Sequence, residues 1–167
     1  METGLSLGSN IGDRLEMLRE ARRRVAAIPD VRVVAQSRVY ETRPVDVAAE
    51  YESLLFLNAV LIVESRQPLR ELAAQLHGIE ADLGRVRDRD RNSPRPIDLD
   101  IVYAGGARVS ERDLTVPHPR WAERWFGAQP LADVRPNLLL PGQTKTVAQI
   151  LRSLPGPEGV RPFAETW

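Results

Sequence analysis

The chain has 167 residues, is 43% hydrophobic and 28% charged, and carries a formal net charge of +0. That length fits one domain, spanning residues 1–167, that buries most of its apolar surface without disulfides. It contains no Cys and two His, His77 and His118, which argues against disulfide scaffolds, thiolate zinc sites and multi-His metal centres. Among 23 Lys+Arg residues, Lys145 is the one lysine, so a Walker A loop and a protein-kinase strand lysine are excluded. Any phosphate chemistry must therefore use arginine and metal.

In chain order, Thr3 to Leu7 reads as a first strand, followed by the turn cluster Gly8-Ser9-Asn10-Ile11-Gly12. Asp13 is a suitable N-cap for a helix from Arg14 to Ile28 whose apolar residues Leu15, Leu18, Val25 and Ile28 fall near helical spacing. Val31 to Tyr40 is β-branched and predicts one long strand; Thr42 to Glu50 is a loop containing Pro44. Phe56 to Val63 reads as a central apolar strand, and a second helix runs from Gln67-Pro68 to Leu83. Residues 84–95, GRVRDRDRNSPR, break every pattern. Ile97 to Tyr103 is a strand, with Ala107 to Ser110 expected to pair back on it. Arg120 to Phe126 reads as a short helix, Leu131 to Pro136 as a helical turn or loop, and Thr146 caps a last helix to Leu154. The Pro/Gly-rich tail after Pro155 is expected to be loosely ordered. The order β-α-β-β-α-β predicts an α+β, ferredoxin-like fold: an antiparallel sheet with helices packed on it and C-terminal additions.

The sharpest chemical signal is Asp98-Leu99-Asp100. Alternation along a strand sends both carboxylates to one face while Ile97, Leu99 and Ile101 face the core. Two such carboxylates repel unless a cation lies between them or one holds a proton. Oxygen-only ligands favour a hard cation such as Mg²⁺, completed by substrate phosphates. The pair alone reads more readily as a solvent-facing edge strand neutralised by nearby arginine. The preceding loop supplies Arg85, Arg87, Arg89, Arg91 and Arg95, and guanidinium forks meet phosphate bidentately. Carboxylates beside arginines suit a polyphosphate substrate. Asn58, inside the apolar run FLNAVLIV, is a buried amide that needs a partner, and a ligand is one.

GRVR…SPRPIDLDIV, together with LGSN near the start, FLNAV in the middle and LTVPHPR later, resembles the 6-hydroxymethyl-7,8-dihydropterin pyrophosphokinase family of folate biosynthesis. The resemblance runs in order from Leu7 to about Pro141. It implies transfer of pyrophosphate from ATP to the hydroxymethyl group of the reduced pterin, releasing AMP, with two Mg²⁺ ions on Asp98 and Asp100. It also implies that Arg85 and Arg95 act on the phosphates during transfer, that Arg87 helps the loop close, and that His118 and Arg124 grip the triphosphate. Ile101 and Thr115 would border the adenine, and Glu80 would lie near the nucleotide. Phe56 and Phe126 would sandwich the pterin, Asn58 would read its edge, and Thr42, Pro44 and Val45 would offer loop groups to the same edge. Without the resemblance, Phe56 and Phe126 read as core, His118 as a histidine satisfied within a Pro-rich turn, and Glu80 as a surface residue. His77 stands where other members often carry Gln and is read as tolerated. No side chain stands out as a general base.

The sequence departs from the family's R-W-G-P-R at Arg91-Asn92-Ser93-Pro94-Arg95, and Trp121 or Trp125 is expected to stand in for the missing Trp. Pro119 occupies a position that is often aromatic. Two other functions remain to be weighed. An RNA-binding module is disfavoured by zero net charge and 5% aromatic content, and a non-catalytic sensor has no need of metal-spaced carboxylates. The expectation is a monomeric, cytoplasmic enzyme acting on small molecules, without membrane or nucleic-acid partners.

Overall fold

Strand alternation and helical spacing sort the apolar residues onto the two sides of one sheet. The structure, a computed structural model, describes residues 1–45, 47–86, 93–155 and 159–167. Its elements are β1 (Glu2–Ser9), α1 (Arg14–Ala26), β2 (Val31–Gln36), β3 (Val39–Thr42), β4 (Phe56–Ser65), α2 (Leu69–Asp82), β5 (Asp98–Ala104), β6 (Val109–Ser110), β7 (Thr115–Val116), α3 (Trp125–Val134), α4 (Val147–Ser153) and β8 (Val160–Ala164). The main sheet has the order β5-β1-β4-β3-β8, with β2 also paired to β4. Every pairing in it is antiparallel. Taking β2 and β3 as one interrupted strand, this is the expected ferredoxin-like α+β arrangement.

Helices α1 and α2 cover one face. Asp13 caps α1 by accepting the Glu16 N–H at 3.1 Å, with Arg23 and Arg24 in the last turn, where the helix dipole favours cations. Leu18, Ala21 and Val25 from α1 and Leu72, Leu76 and Ile79 from α2 pack with Leu5, Leu7, Leu57, Leu61 and Leu99 of the strands. On the other face, Val60, Ile62, Val102 and Tyr103 pack against Leu131, Val147 and Ile150 of α3 and α4. The Tyr103 ring lies directly on Gly4, where a Cβ would collide with Tyr103 Cε1. At one end of this second face, Ser6, Gly8, Phe56, Asn58, Asp98 and Asp100 line a cleft.

Four sequence readings need correction. The strand expected over Val31–Tyr40 is interrupted at Ser37-Arg38, where Ser37 Oγ accepts the Val60 N–H at 2.8 Å and donates to the Arg38 carbonyl at 2.6 Å. A hydroxyl has replaced a backbone partner in the ladder, and the chain kinks there. The hairpin strand pairs not with β5 but with β7, Val109 opposite Val116. Leu131 to Val134 belongs to α3, which starts at Trp125 after a 3₁₀ turn at Trp121–Glu123 and carries Pro130 within it. Finally, residues 159–167 of the tail are ordered: β8 extends the sheet beside β3, and the Trp167 side chain is buried, its Nε1 donating to the Ser37 carbonyl at 2.8 Å. Composition pointed to a loose end, but a free β3 edge and an apolar indole outweigh it. No helix among the described residues is long and apolar enough to cross a membrane.

Candidate active site

The cleft, about 490 Å³, opens where the ends of β1, β3, β4 and β5 meet α3. Gly8 forms part of its floor opposite Asp98 in the β1–β5 register. A Cβ there would come 3.3 Å from Asn58 Oδ1 and 3.8 Å from the Phe56 ring, so glycine keeps the space between the acidic and aromatic halves open. Asp98 and Asp100 both line the cleft, while Leu99 between them is buried in the helix-side core. The alternation expected of this strand is therefore realised.

Glu80 organises the acidic strand from beneath. It is 1% exposed, lies on α2, and its Oε1 accepts the Leu99 N–H at 2.7 Å. The same oxygen pairs with Arg85, which also pairs with Asp98 Oδ1. Arg95 Nε lies 3.0 Å from Asp98 Oδ2. Burial works against the Arg85 charge, but Asp98 and Glu80 outweigh it and raise its pKa above the ordinary value. Asp100 opens into the cleft yet is crowded by protein. Burial, and then the Asp98 and Glu80 charges, push it up to about 7, against the pull of Arg85 and Arg95. Glu80 thus lies beside the cleft machinery but does not line the cleft, and it is no surface residue. Sequence inspection also missed Asn10: it is buried, its Oδ1 accepts the Arg95 N–H at 2.8 Å and its N–H donates to the Arg95 carbonyl at 3.3 Å. The motif LGSN contained it, but its partner lies 85 residues away.

The pterin-assigned residues come together on the opposite wall. Thr42 and Phe56 face each other in the β3–β4 register, and Asn58 Nδ2 donates to Thr42 Oγ1 at 2.8 Å. Pro44, Val45 and Phe126 line the same wall. Neither aromatic is simple core: the Arg95 guanidinium lies 5.3 Å from the Phe56 ring centre and that of Arg124 5.6 Å from Phe126. His118 and Arg124 also line the cleft. His118 Nδ1 accepts the Arg120 N–H at 3.2 Å. Burial and the neighbouring Arg120 lower the His118 pKa, so the ring is neutral at pH 7 with its proton on Nε2.

A second cleft of about 240 Å³ shares Asp100 and His118 with the first. Ile101 and Thr115 line it, as does His77, which the sequence reading set aside. Trp121 lines the main cleft from a buried position, whereas Trp125 lines neither, so of the two suggested stand-ins only Trp121 is suitably located. Arg43 and Arg120 are further cations on the main cleft. Arg87, with Arg89, Arg91 and Asn92, lies outside the described residues.

Among the described residues no group of three or more His, Cys, Asp or Glu forms a metal cage. A pair of carboxylates is nonetheless what Mg²⁺ takes from protein when phosphates and water complete its shell. The oxygen-only donors, the crowding that raises the Asp100 pKa and the open floor at Gly8 all fit such an ion.

Carboxylates and guanidiniums face a polar-aromatic wall within one cleft of an α+β fold, an arrangement suited to a charged polyphosphate held beside a flat ring. The model of the 7,8-dihydro-6-hydroxymethylpterin-pyrophosphokinase (HPPK) family matches residues 4–136. A 2-amino-4-hydroxy-6-hydroxymethyldihydropteridine pyrophosphokinase of Methylorubrum extorquens is 42% identical over 140 residues, covering 84% of this chain and 86% of that one. A mitochondrial folate synthesis bifunctional protein of Arabidopsis thaliana is 41% identical over 133 residues, covering 80% of this chain but 23% of the relative. The crystal structure of wild-type Plasmodium falciparum HPPK-DHPS with pteroate superposes with a TM-score of 0.67 at 15% identity, over 90% of this chain and 42% of that one, which supports the fold. The chain belongs to the 7,8-dihydro-6-hydroxymethylpterin-pyrophosphokinase family.

Proposed function

We propose that this chain transfers the terminal pyrophosphoryl unit of ATP to the hydroxymethyl oxygen of 6-hydroxymethyl-7,8-dihydropterin, a step of folate synthesis, as its family membership implies. The observation that carries this reading is one cleft holding an acidic pair, five arginines and a polar-aromatic wall together. The substrate oxygen bonds to the β-phosphorus of ATP, the bond from that phosphorus to the α–β bridging oxygen breaks, AMP leaves, and the hydroxyl proton passes to solvent.

Each wall of the cleft has a distinct task in this reading. Asp98 and Asp100 would hold two Mg²⁺ ions, which supply charge relief on the triphosphate and acidify the attacking hydroxyl. Arg85 and Arg95, now paired with Asp98, are within the same cleft as the expected phosphates. They would exchange a carboxylate for phosphate oxygens as substrate binds, at little cost because the charge remains paired. His118 would donate from Nε2 and Arg124 would add a cation to the triphosphate, while the second cleft, with Ile101 and Thr115, would take the adenine. Phe56 and Phe126 would stack on the pterin, and the Asn58–Thr42 pair would fix donors and acceptors at its edge, helped by Pro44 and Val45. Glu80 would act through Arg85 and the Leu99 backbone, and Arg87 would contribute from the arginine loop. In-line positioning and electrostatic relief then carry the reaction without a side-chain base. We read residues 1–167 as one catalytic unit, acting as a cytoplasmic monomer.

Product analysis tests the reading. Incubated with ATP, Mg²⁺ and the pterin, the chain should yield AMP and the pterin diphosphate in equal amounts. ADP as product, or no nucleotide consumption dependent on the pterin, would overturn it.

A further inference from the structure

Behind the cleft, on the helix side of the sheet, one guanidinium ties together the two strand ends that carry the pterin wall. Arg14, the first residue of α1, donates from Nη1 to the Leu55 carbonyl at 2.8 Å and from Nη2 to Glu41 Oε2 at 2.9 Å. Leu55 immediately precedes Phe56, and Glu41 immediately precedes Thr42. The Glu41 side chain is 5% exposed. Its other oxygen accepts from Arg161 Nε at 2.8 Å, and Arg161 sits opposite it in the β3–β8 register. The Arg161 hydrogen bond, against the cost of burial and with help from Arg14, holds the Glu41 carboxyl below its ordinary pKa. β8 lies beyond the stretch matched by the family model, which ends at residue 136.

A buried carboxylate is an expensive way to stabilise a strand, since a well-packed apolar side chain does so without desolvating a charge. Glu41 supplies direction instead. With Arg14 it fixes where β3 ends relative to the turn into β4, and therefore the spacing of Thr42, Phe56 and Asn58 on the opposite face. Neither Arg14 nor Glu41 lines the cleft, so any effect on substrate passes through the backbone.

We propose that Arg14 is a positioning residue for pterin recognition, bracing the Thr42 and Phe56 ends of the cleft wall from behind through Glu41 and the Leu55 carbonyl. The inference rests on the pterin reading above. Lysine retains a cation for Glu41 but lacks the fork that reaches both partners at once. The test is steady-state kinetics on wild type, Arg14→Gln and Arg14→Lys, with each variant's melting temperature measured. Arg14→Gln should raise the pterin KM about tenfold, the scale of one lost directed bond, while the ATP KM and kcat stay within about twofold. Arg14→Lys should give a smaller rise of about threefold, and it keeps the test open if the glutamine variant does not fold. An unchanged pterin KM in the folded lysine variant, or equal rises in both KM values, would overturn the proposal. Wild type that makes no AMP refutes the pterin reading itself. Wild type that makes AMP alongside unaffected variants refutes the bracing role and leaves that reading intact.

Discussion

Glu80→Ala tests how the acidic strand is held. The substitution removes the acceptor of the Leu99 N–H, a buried bond of 2.7 Å, and one of the two carboxylates paired with Arg85. A buried N–H without a partner costs about 1–3 kcal/mol. Arg85 retains Asp98, so the loss stays short of the roughly 3–5 kcal/mol of an orphaned buried charge. Together these give about 3 kcal/mol, which in a domain of this size lowers Tm by about 6–12 °C. Glu80→Gln keeps an acceptor for Leu99 and loses the charge, so its cost should be about 1 kcal/mol, or about 2–4 °C. Because Leu99 lies between Asp98 and Asp100, both variants should also slow turnover. Circular dichroism melting, combined with hydrogen exchange at the Leu99 amide, measures each part. If Glu80→Ala melted with wild type and its Leu99 amide exchanged no faster, the support attributed to Glu80 would be wrong.

Other expectations follow from the same geometry. Asp98→Asn and Asp100→Asn should each abolish AMP formation while leaving the chain folded, because both side chains face the cleft and little core is disturbed; near-native turnover in either would refute the metal assignment. Asp100, with a pKa raised to about 7, binds its proton below that pH and must release it to hold a cation. Mg²⁺ affinity, measured by calorimetry in buffers of different ionisation enthalpy, should therefore fall about tenfold per pH unit below pH 7 and level off above it; a flat profile from pH 5 to 8 would contradict this. Trp167→Ala deletes a buried indole and its bond to the Ser37 carbonyl and should cost about 3 kcal/mol, visible as a lower Tm with an unchanged ATP KM. Gly8→Ala places a methyl against Asn58 Oδ1 and should raise the pterin KM, with unaltered pterin binding counting against the cleft floor described above.

Much of the site was legible because its residues come from short local patterns. The alternation of Ile97-Asp98-Leu99-Asp100 fixed which side chains share a face, and the amide within FLNAVLIV announced a buried polar group. What escaped inspection depends on contacts distant in the chain. Asn10 matters through the backbone of Arg95, and Glu80 through Arg85 and Leu99. Neither partner is implied by local spacing. The tail misled on its Pro and Gly content, while the strand over Val160–Ala164 forms because β3 has a free edge to offer. The interruption at Ser37 likewise reflects one hydroxyl bond to Val60 on another strand, which β propensity does not register.

The central claim is that Asp98 and Asp100 seat Mg²⁺ beneath the triphosphate, and a crystal structure with a non-hydrolysable ATP analogue, Mg²⁺ and the pterin tests it most directly. The account predicts metal density on both carboxylates, with Arg85 and Arg95 moved from Asp98 onto phosphate oxygens. Carboxylates still paired with those arginines, with the bound nucleotide's metal held elsewhere, would contradict it.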